Sequence, residues 1–511
     1  MKAVVFCHFH HKSAVYDRQK RQQLTAQGKR EIIDSVSSYY KAFLKCRNIS
    51  LVYVYVDTGI RQILDHLFQG GGKINIDINE LAFEHTVRNI LKLAVDDARS
   101  ELEADSDFDP AAAPKFQFIG LPHLATLIAS LYRRKRDLVK NLAGRGGFTY
   151  DAPKFVEAVI RLTRGKDLAL GGDPILRFDQ DVQVNQEGVE ALLNKIRKAV
   201  VRGYHYSFFS GGYGSSGESD PVNDYAVRCH WLADVTKQQN EPPFRLIPNG
   251  EHFLRDIGEF GATSIPNFLG TSPSVAMKDY IVRQGGRRAN RDSKQVISGA
   301  GLYMSYSAIN RLPPFMNFEN NIVWVDDYLK RRLHEVIGDL ATTDLESVQE
   351  SLFHQDRYPD GIEPKDIQWA ESIYFYRLIS GCIMHALIVE RTGEPGPLAT
   401  FVADFLDNRQ LKKNREFAKL SVDFMKVAKI TALELLEIWA SADYGNDILQ
   451  KWAQKNRAKL KQGTGELAEW INSTVGDAVN YCKLVENWQD YVIAINDLAD
   501  HDAYWLFRPV G

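Results

Sequence analysis

The chain has 511 residues, a length that predicts roughly two to four domains at about 150 residues each. Its 63 basic and 65 acidic residues give a formal net charge of -2, with 44% of residues hydrophobic and 25% charged. This composition is typical of a folded globular protein, and it excludes a disordered chain, a collagen-like fibre and a protein that binds bulk nucleic acid through overall charge.

Cysteine usage and hydropathy predict the compartment. The 5 cysteines are widely spaced and form no C-x-x-C pair, which argues against a disulfide framework or a structural zinc site. The segment Met1–His8 has one basic residue and an apolar stretch too short for a signal peptide. The longest apolar stretch, Tyr374–Val389, contains Arg377 and is shorter than the roughly 20 residues that span a bilayer. We therefore expect a cytoplasmic protein with no transmembrane segment.

The first part of the chain alternates strand and helix patterns. Lys2–Phe9 and Leu51–Asp57 are rich in β-branched and aromatic residues, whereas Lys29–Leu44 has the apolar spacing of a helix. A predicted helix, Glu80–Leu102, and a short predicted strand, Phe116–Ile119, follow. This alternation predicts a parallel sheet covered by helices.

The middle of the chain continues the α/β pattern. Asp173–Val182 is predicted as a strand with acidic residues, and Glu187–Val201 as the helix after it. A glycine- and arginine-rich break at residues 284–291 precedes an apolar run, Val296–Tyr303.

Near residue 340 strand patterns nearly vanish and amphipathic helices take over. One helix face is formed by Phe417, Leu420, Phe424, Val427 and Ile430, and another by Leu484, Trp488, Tyr491, Ile495 and Leu498. A core or a dimer interface accounts for the aromatic residues of these faces equally well, so a homo-oligomer through the helices is one expectation. We predict an α/β catalytic domain over residues 1–340 and an all-helical C-terminal domain over residues 341–511.

The tripeptide Asp179-Gln180-Asp181 lies at the end of the predicted strand. Positions i and i+2 of an extended chain face the same side, so both carboxylates can point into one cleft while Leu176 and Phe178 pack in the core. Two carboxylates at a strand end suit Mg²⁺ or Mn²⁺, which can neutralise a diphosphate. The alternative is a chance D-x-D in a solvated turn.

A second acidic pair, Asp326 and Asp327, follows the apolar residues Val323–Val325 and precedes a helical pattern. Acidic residues in the first turn, followed by Lys330 and Arg331, also stabilise a helix without any catalytic role. Both interpretations stay open on the residues alone.

Together, the order of these motifs resembles that of glycosyltransferases of the GT-A fold, over about residues 1–340. The resemblance implies a Rossmann-like mixed sheet with covering helices and a metal site at Asp179 and Asp181. It also implies an acceptor-side strand of small residues that contains Gly299, Ala300 and Gly301. In inverting members the acidic pair supplies the general base, which here is Asp327, with Asp326 as the alternate.

The donor nucleotide is expected at the ends of the first two strands, where His8, His10 and Asp57 lie. An arginine-rich loop with Arg287, Arg288 and Arg291 can close over a diphosphate, because arginine binds phosphate through two parallel hydrogen bonds.

His334 is a further candidate for the diphosphate or the metal. It follows Asp327 by two helical turns, so the two residues share a helix face. The alternative is an ordinary surface or helix-end histidine.

The predicted activity is metal-dependent transfer of a sugar, of the hexosyltransferase kind, from a UDP- or GDP-linked donor to a saccharide, lipid or protein hydroxyl. Inversion is favoured, and Mn²⁺ or Mg²⁺ is the expected cofactor. A nucleotidyltransferase of related fold is an alternative, although residues 8–15 lack the glycines of its activating loop. A non-catalytic assembly scaffold is the other alternative.

Overall fold

The computed structural model describes residues 2–10, 26–57, 78–134, 156–162, 175–178, 182–184, 186–203, 206–211, 300–314, 326–338, 346–348, 352–354, 376, 379–390, 394–407, 417–441 and 447–501.

The strands are, in chain order, β1 (Ala3–His10), β2 (Ile49–Asp57), β3 (Lys115–Ile119), β4 (Ile175–Phe178), β5 (Val182–Val184), β6 (Tyr206–Gly211), β7 (Ala300–Met304), β8 (Glu346–Val348) and β9 (Leu352–His354). The helices are α1 (Ala26–Lys45), α2 (Ile78–Glu103), α3 (Leu121–Arg134), α4 (Gln186–Val201), α5 (Tyr306–Arg311), α6 (Asp326–Val336), α7 (Pro397–Asp407), α8 (Phe417–Ser441), α9 (Asp447–Lys461) and α10 (Glu466–His501). Residues 156–162 and 379–388 are also helical.

The main sheet is mixed and has the order β3-β2-β1-β4-β7-β6-β8. Strands β3, β2, β1 and β4 are parallel to one another, whereas β7 runs antiparallel to both β4 and β6. The predicted α/β organisation with a parallel sheet is therefore confirmed for its first four strands. Helices α1, α2 and α3 follow β1, β2 and β3 in the chain.

Strands β1 and β2 are buried on both faces, which explains their nearly continuous apolar sequence. Alternate residues such as Val5, Cys7 and Phe178 join one core with α1, α2 and α4. In α1, buried residues recur at helical spacing, from Ile32 and Val36 to Tyr40 and Phe43.

The predicted single strand Asp173–Val182 is wrong, because the chain forms two strands in two sheets. β4 belongs to the main sheet, while β5 pairs with β9 in a separate two-stranded sheet. The expectation that Leu176 and Phe178 pack in the core is confirmed, since both are fully buried. In the sequence, the D-x-D tripeptide therefore lies between the last residue of β4 and the first residue of β5.

The region after residue 340 is mostly helical where it is described, but not entirely. β8 and β9 both lie within residues 341–511, so the prediction of an all-helical C-terminal domain is wrong for these two strands. Each has 3 residues, too few to show an alternating pattern in the sequence.

The predicted face of α10 is confirmed where its side chains are described, because Leu484, Trp488, Tyr491 and Ile495 are all buried. In α8, Phe424 is buried as predicted, but Ile430 is 49% exposed. The buried positions after Phe424 are spaced by the true helical period, so the face moves away from Ile430.

The helical core extends across residue 340. It contains Leu312, Leu329 and Leu333 together with apolar residues of α7–α10, and α10 also contacts α3 and α5. The boundary at residue 340 stays a prediction, while the packing joins the two parts of the chain. Within the described part of the chain, no helix is both long and apolar enough to cross a membrane.

Candidate functional site

The candidate site lies where the strand order of the main sheet reverses. From β1 the chain proceeds to β2 and β3 on one side, while β4 pairs with β1 on the other side. In open α/β sheets, ligands bind in the crevice that such a reversal leaves at the carboxyl ends of the strands.

Two groups of predicted residues lie beside the end of β4, and the D-x-D follows β4 in the sequence. Phe178, the last residue of β4, pairs with Cys7 of β1 on one side and with Ala300 of β7 on the other. Asp179 follows Phe178 directly in the chain, and His8 follows Cys7. Because β7 is antiparallel, its first residues lie beside the carboxyl end of β4. The sequence motifs assigned to donor, metal and acceptor thus belong to neighbouring strand ends.

The strands that carry the predicted donor-binding residues are β1 and β2. His8 is partly buried, it pairs in register with Tyr55, and the centroids of the two rings are 5.9 Å apart. His10 pairs with Asp57 at the last position of both strands. The structure therefore brings together the backbones of these residues, which the sequence predicts to share one site.

Several predicted site residues lie outside the described residues. They are Asp179, Asp181, Arg287, Arg288, Arg291 and Gly299. Ala300 and Gly301 are the first two residues of β7. Among the residues that the structure describes, no three His, Cys, Asp or Glu side chains converge in a way that could hold a metal ion. The D-x-D metal site stays a prediction.

Helix α6 begins at Asp326, so the acidic pair Asp326 and Asp327 opens a helix as the sequence predicts. His334 of the same helix is 0% exposed, and the alternative interpretation as a surface histidine is wrong. Its neighbours in the helix, Leu329 and Leu333, belong to the helical core, which is built from residues distant in sequence. A role for His334 in metal binding stays a prediction.

A buried ionic network lies against β4 and was not predicted from the sequence. Glu157 accepts hydrogen bonds from Arg161 at 2.8 and 2.6 Å, and Arg177 Nη1 lies 3.4 Å from the second Glu157 oxygen. Arg161 Nη1 also donates to the carbonyl oxygens of Ile175, at 3.0 Å, and Met304, at 2.6 Å. The network therefore joins the start of β4 to the end of β7.

The electrostatics of this network favour the ionised carboxylate. Burial raises the pKa of Glu157, but the charges of Arg161 and Arg177 and their hydrogen bonds outweigh burial, so the pKa lies below its ordinary value. The sequence carried one signal for it: Glu157 and Arg161 are four residues apart within an otherwise apolar run. Arg177 lies two residues before Asp179, so the network fixes the strand that directly precedes the D-x-D.

A second buried charge lies where β3 ends. Glu84 of α2 is 0% exposed, and its Oε1 is 3.4 Å from Nε of Arg88. Burial raises the pKa of Glu84 to about 6, against a partial lowering by Arg88 and Lys92. Gly120 makes room for this carboxylate, since a Cβ at Gly120 would overlap it.

His123 in the first turn of α3 has the opposite perturbation. Its Nδ1 accepts a hydrogen bond from the Gly120 N–H at 3.2 Å, which identifies the neutral ring. Burial, with the charges of Arg88 and Lys92, lowers the pKa of His123 to about 4. Glu84 and His123 thus place two perturbed groups near the carboxyl end of β3, on the same edge of the sheet as the candidate site.

Comparison with known proteins identifies no relative: no family model, no curated protein and no solved structure matches the chain.

Proposed function

We propose that the protein is a metal-dependent glycosyltransferase with a GT-A-like fold, which transfers a sugar from a nucleotide-diphosphate sugar to an acceptor hydroxyl with inversion. The observation that carries the proposal is the position of β4 between β1 and the antiparallel β7. This arrangement supports a crevice with the donor on the β1 side, the acceptor on the β7 side and the D-x-D between them.

The donor side supplies nucleotide binding and charge neutralisation. Asp179 and Asp181 would hold Mn²⁺ or Mg²⁺, and that ion would neutralise the leaving diphosphate. His8, His10 and Asp57 would contact the base and ribose of UDP or GDP. The loop with Arg287, Arg288 and Arg291 would bind the diphosphate oxygens.

The acceptor side supplies the base. Asp327, or Asp326 in its place, would accept the proton of the acceptor hydroxyl. At the same time, the oxygen of that hydroxyl would bond to the anomeric carbon of the sugar. The bond from that carbon to the diphosphate oxygen breaks, and the nucleoside diphosphate leaves. Helix dipoles stabilise negative charge near the N-terminus, which is where the acidic pair lies in α6.

We propose that the transfer takes place in the reducing environment of the cytoplasm. No disulfide joins Cys7, Cys46, Cys382 and Cys482, all of them buried, within the described part of the chain.

Titration calorimetry with UDP and GDP, each with and without Mn²⁺, tests the proposed function. We expect binding that depends on Mn²⁺ in the wild-type protein and its loss in Asp179→Ala and Asp181→Ala. Asp107→Ala is the matched control, because Asp107 belongs to another D-x-D, Asp105-Ser106-Asp107, and is exposed.

The outcomes separate the three candidate functions. Unchanged nucleotide affinity in both Asp179→Ala and Asp181→Ala contradicts the metal assignment. A preference for nucleoside triphosphates over UDP and GDP would favour nucleotidyl transfer. Failure to bind any nucleotide would favour a scaffold.

A further inference from the structure

The segment Ser305–Pro313, which follows β7 and includes α5, is held by side chains that are far away in sequence. Nε1 of Trp488 donates to the Ile309 carbonyl oxygen at 2.7 Å. The side-chain amide of Gln489 donates to the Asn310 carbonyl at 2.8 Å, and the hydroxyl of Tyr481 donates to the Pro313 carbonyl at 3.2 Å. All three donors belong to α10.

Helix α6 contacts the same segment. Nζ of Lys330 donates to the Leu312 carbonyl oxygen at 3.0 Å and lies 3.8 Å from Sδ of Met304, the last residue of β7. Lys330 is only 1% exposed, so this contact is shielded from water. Side chains of α10 therefore bind the carbonyl oxygens of residues 309, 310 and 313, and a side chain of α6 binds that of residue 312.

These bonds satisfy groups that the segment cannot satisfy itself. The last four carbonyl oxygens of a helix have no partner within it, and α5 is only 6 residues long. Ile309 and Leu312 are buried, so water does not readily replace the missing partners. The N-terminal end of α5 is closed locally, because Ser305 Oγ accepts from the Ala308 N–H at 3.1 Å.

We propose that α10 positions the acidic pair of α6 through the segment Ser305–Pro313, with Trp488 and Tyr481 as positioning residues. The assignment of Asp327 as the base rests on the proposed function, whereas the positioning of α6 by α10 does not. α6 is placed relative to β7 by Lys330, and Lys330 is placed by a segment that α10 holds. Loss of an α10 donor lets this segment shift, and a displacement of about 1 Å is enough to slow a positioned reaction.

The test uses full-length variants that remove one donor each. Tyr481→Phe deletes a hydroxyl without a change of ring shape, and Trp488→Phe deletes the indole N–H. Trp470→Phe is the matched control, because Trp470 lies on the same helix and its Nε1 also donates at 2.7 Å, but to Ser380 within the helical core. Trp470 and Trp488 are about 27 Å apart along the helix axis.

Two measurements separate positioning from general stability. The first is release of nucleotide from UDP-glucose or GDP-mannose with Mn²⁺, with water as the acceptor, alongside the Kd of UDP and GDP. The second is hydrogen exchange of the backbone amides of residues 305–312 and 326–338, which is independent of any turnover.

We expect kcat for nucleotide release to fall about fivefold in Tyr481→Phe and Trp488→Phe, the order of effect of one lost hydrogen bond, with nucleotide Kd unchanged. Exchange in residues 305–312 and 326–338 should accelerate in both. Trp470→Phe should lower the melting temperature but leave kcat and this exchange unchanged. An equal effect of Trp470→Phe, or no effect of the other two variants, overturns the proposal.

The two measurements also distinguish a wrong proposed function from a wrong positioning role. A wild-type protein that binds neither UDP nor GDP with Mn²⁺ contradicts the proposed function, and hydrogen exchange then decides the positioning role. Faster exchange in Tyr481→Phe and Trp488→Phe, but not in Trp470→Phe, supports positioning; unchanged exchange overturns it.

Discussion

Substitution of Glu84 by glutamine should stabilise the protein at neutral pH and reveal a pH dependence that the wild-type protein hides. The pKa of Glu84 is raised from 4.5 to about 6, so the folded protein holds this proton more tightly than the unfolded chain. The resulting stability is fully present below about pH 4.5 and is lost as the pH rises through 6. At 1.36 kcal/mol for each pH unit, the loss is about 2 kcal/mol.

His123 changes the stability of the protein in the opposite direction over an overlapping pH range. Its pKa is lowered from 6.5 to about 4, so the neutral ring stabilises the folded protein above about pH 6.5. This contribution is lost as the pH falls through 4, and it amounts to about 3 kcal/mol. Between about pH 4.5 and 6 the contributions of Glu84 and His123 nearly cancel. In Glu84→Gln only the contribution of His123 remains, and in this range the free energy of unfolding should rise by about 1.4 kcal/mol for each pH unit.

Urea unfolding at half-unit steps from pH 4 to pH 8 measures this difference. Glu84→Gln and wild type should coincide near pH 4 and diverge until the variant is about 2 kcal/mol more stable at pH 7. Glu103→Gln is the control, because Glu103 lies on the same helix and is exposed, so its effect should stay within about 0.5 kcal/mol at every pH. Parallel curves for Glu84→Gln and wild type would refute the raised pKa of Glu84.

Two further predictions concern β4 and the acidic pair. Arg161→Met should lower the free energy of unfolding by about 3–5 kcal/mol in urea titrations, because it leaves the Glu157 carboxylate buried beside Arg177 alone. The double variant with Glu157→Gln should be less destabilised than Arg161→Met, and an additive loss would contradict the network. Asp327→Asn should reduce sugar transfer by about 10²-fold or more while UDP or GDP affinity is kept; if Asp327→Asn retains full activity and Asp326→Asn does not, the base is Asp326.

Local patterns predicted the first strands well. β1, β2 and β3 each carry their own β-branched or aromatic run, and their positions in the sequence match the structure. The core positions Leu176 and Phe178 were predictable for the same reason, since strand alternation places them on one face.

Features that depend on distant partners were not predictable. The break between β4 and β5 arises because Val182–Val184 pairs with β9, far along the chain. His334 lies close to Arg331 and Arg332 in the sequence, a pattern typical of an exposed helix face, yet it is fully buried in the folded chain. Arg161 likewise gains its partner Met304 only in the folded sheet. The residue types of one segment do not show which distant residues that segment will contact.

The antiparallel strand β7 has a consequence for the order in which the molecule is built. β1 to β4 precede β7 along the chain, and β7 must return from a distant part of the sequence to pair with Leu176 and Phe178. Closing such a long loop is entropically unfavourable, and distant strand pairs form more slowly than local ones. Synthesis also proceeds from the N-terminus. On the ribosome, the β1–β4 half of the crevice can therefore assemble first, and the wall that β7 contributes is added last.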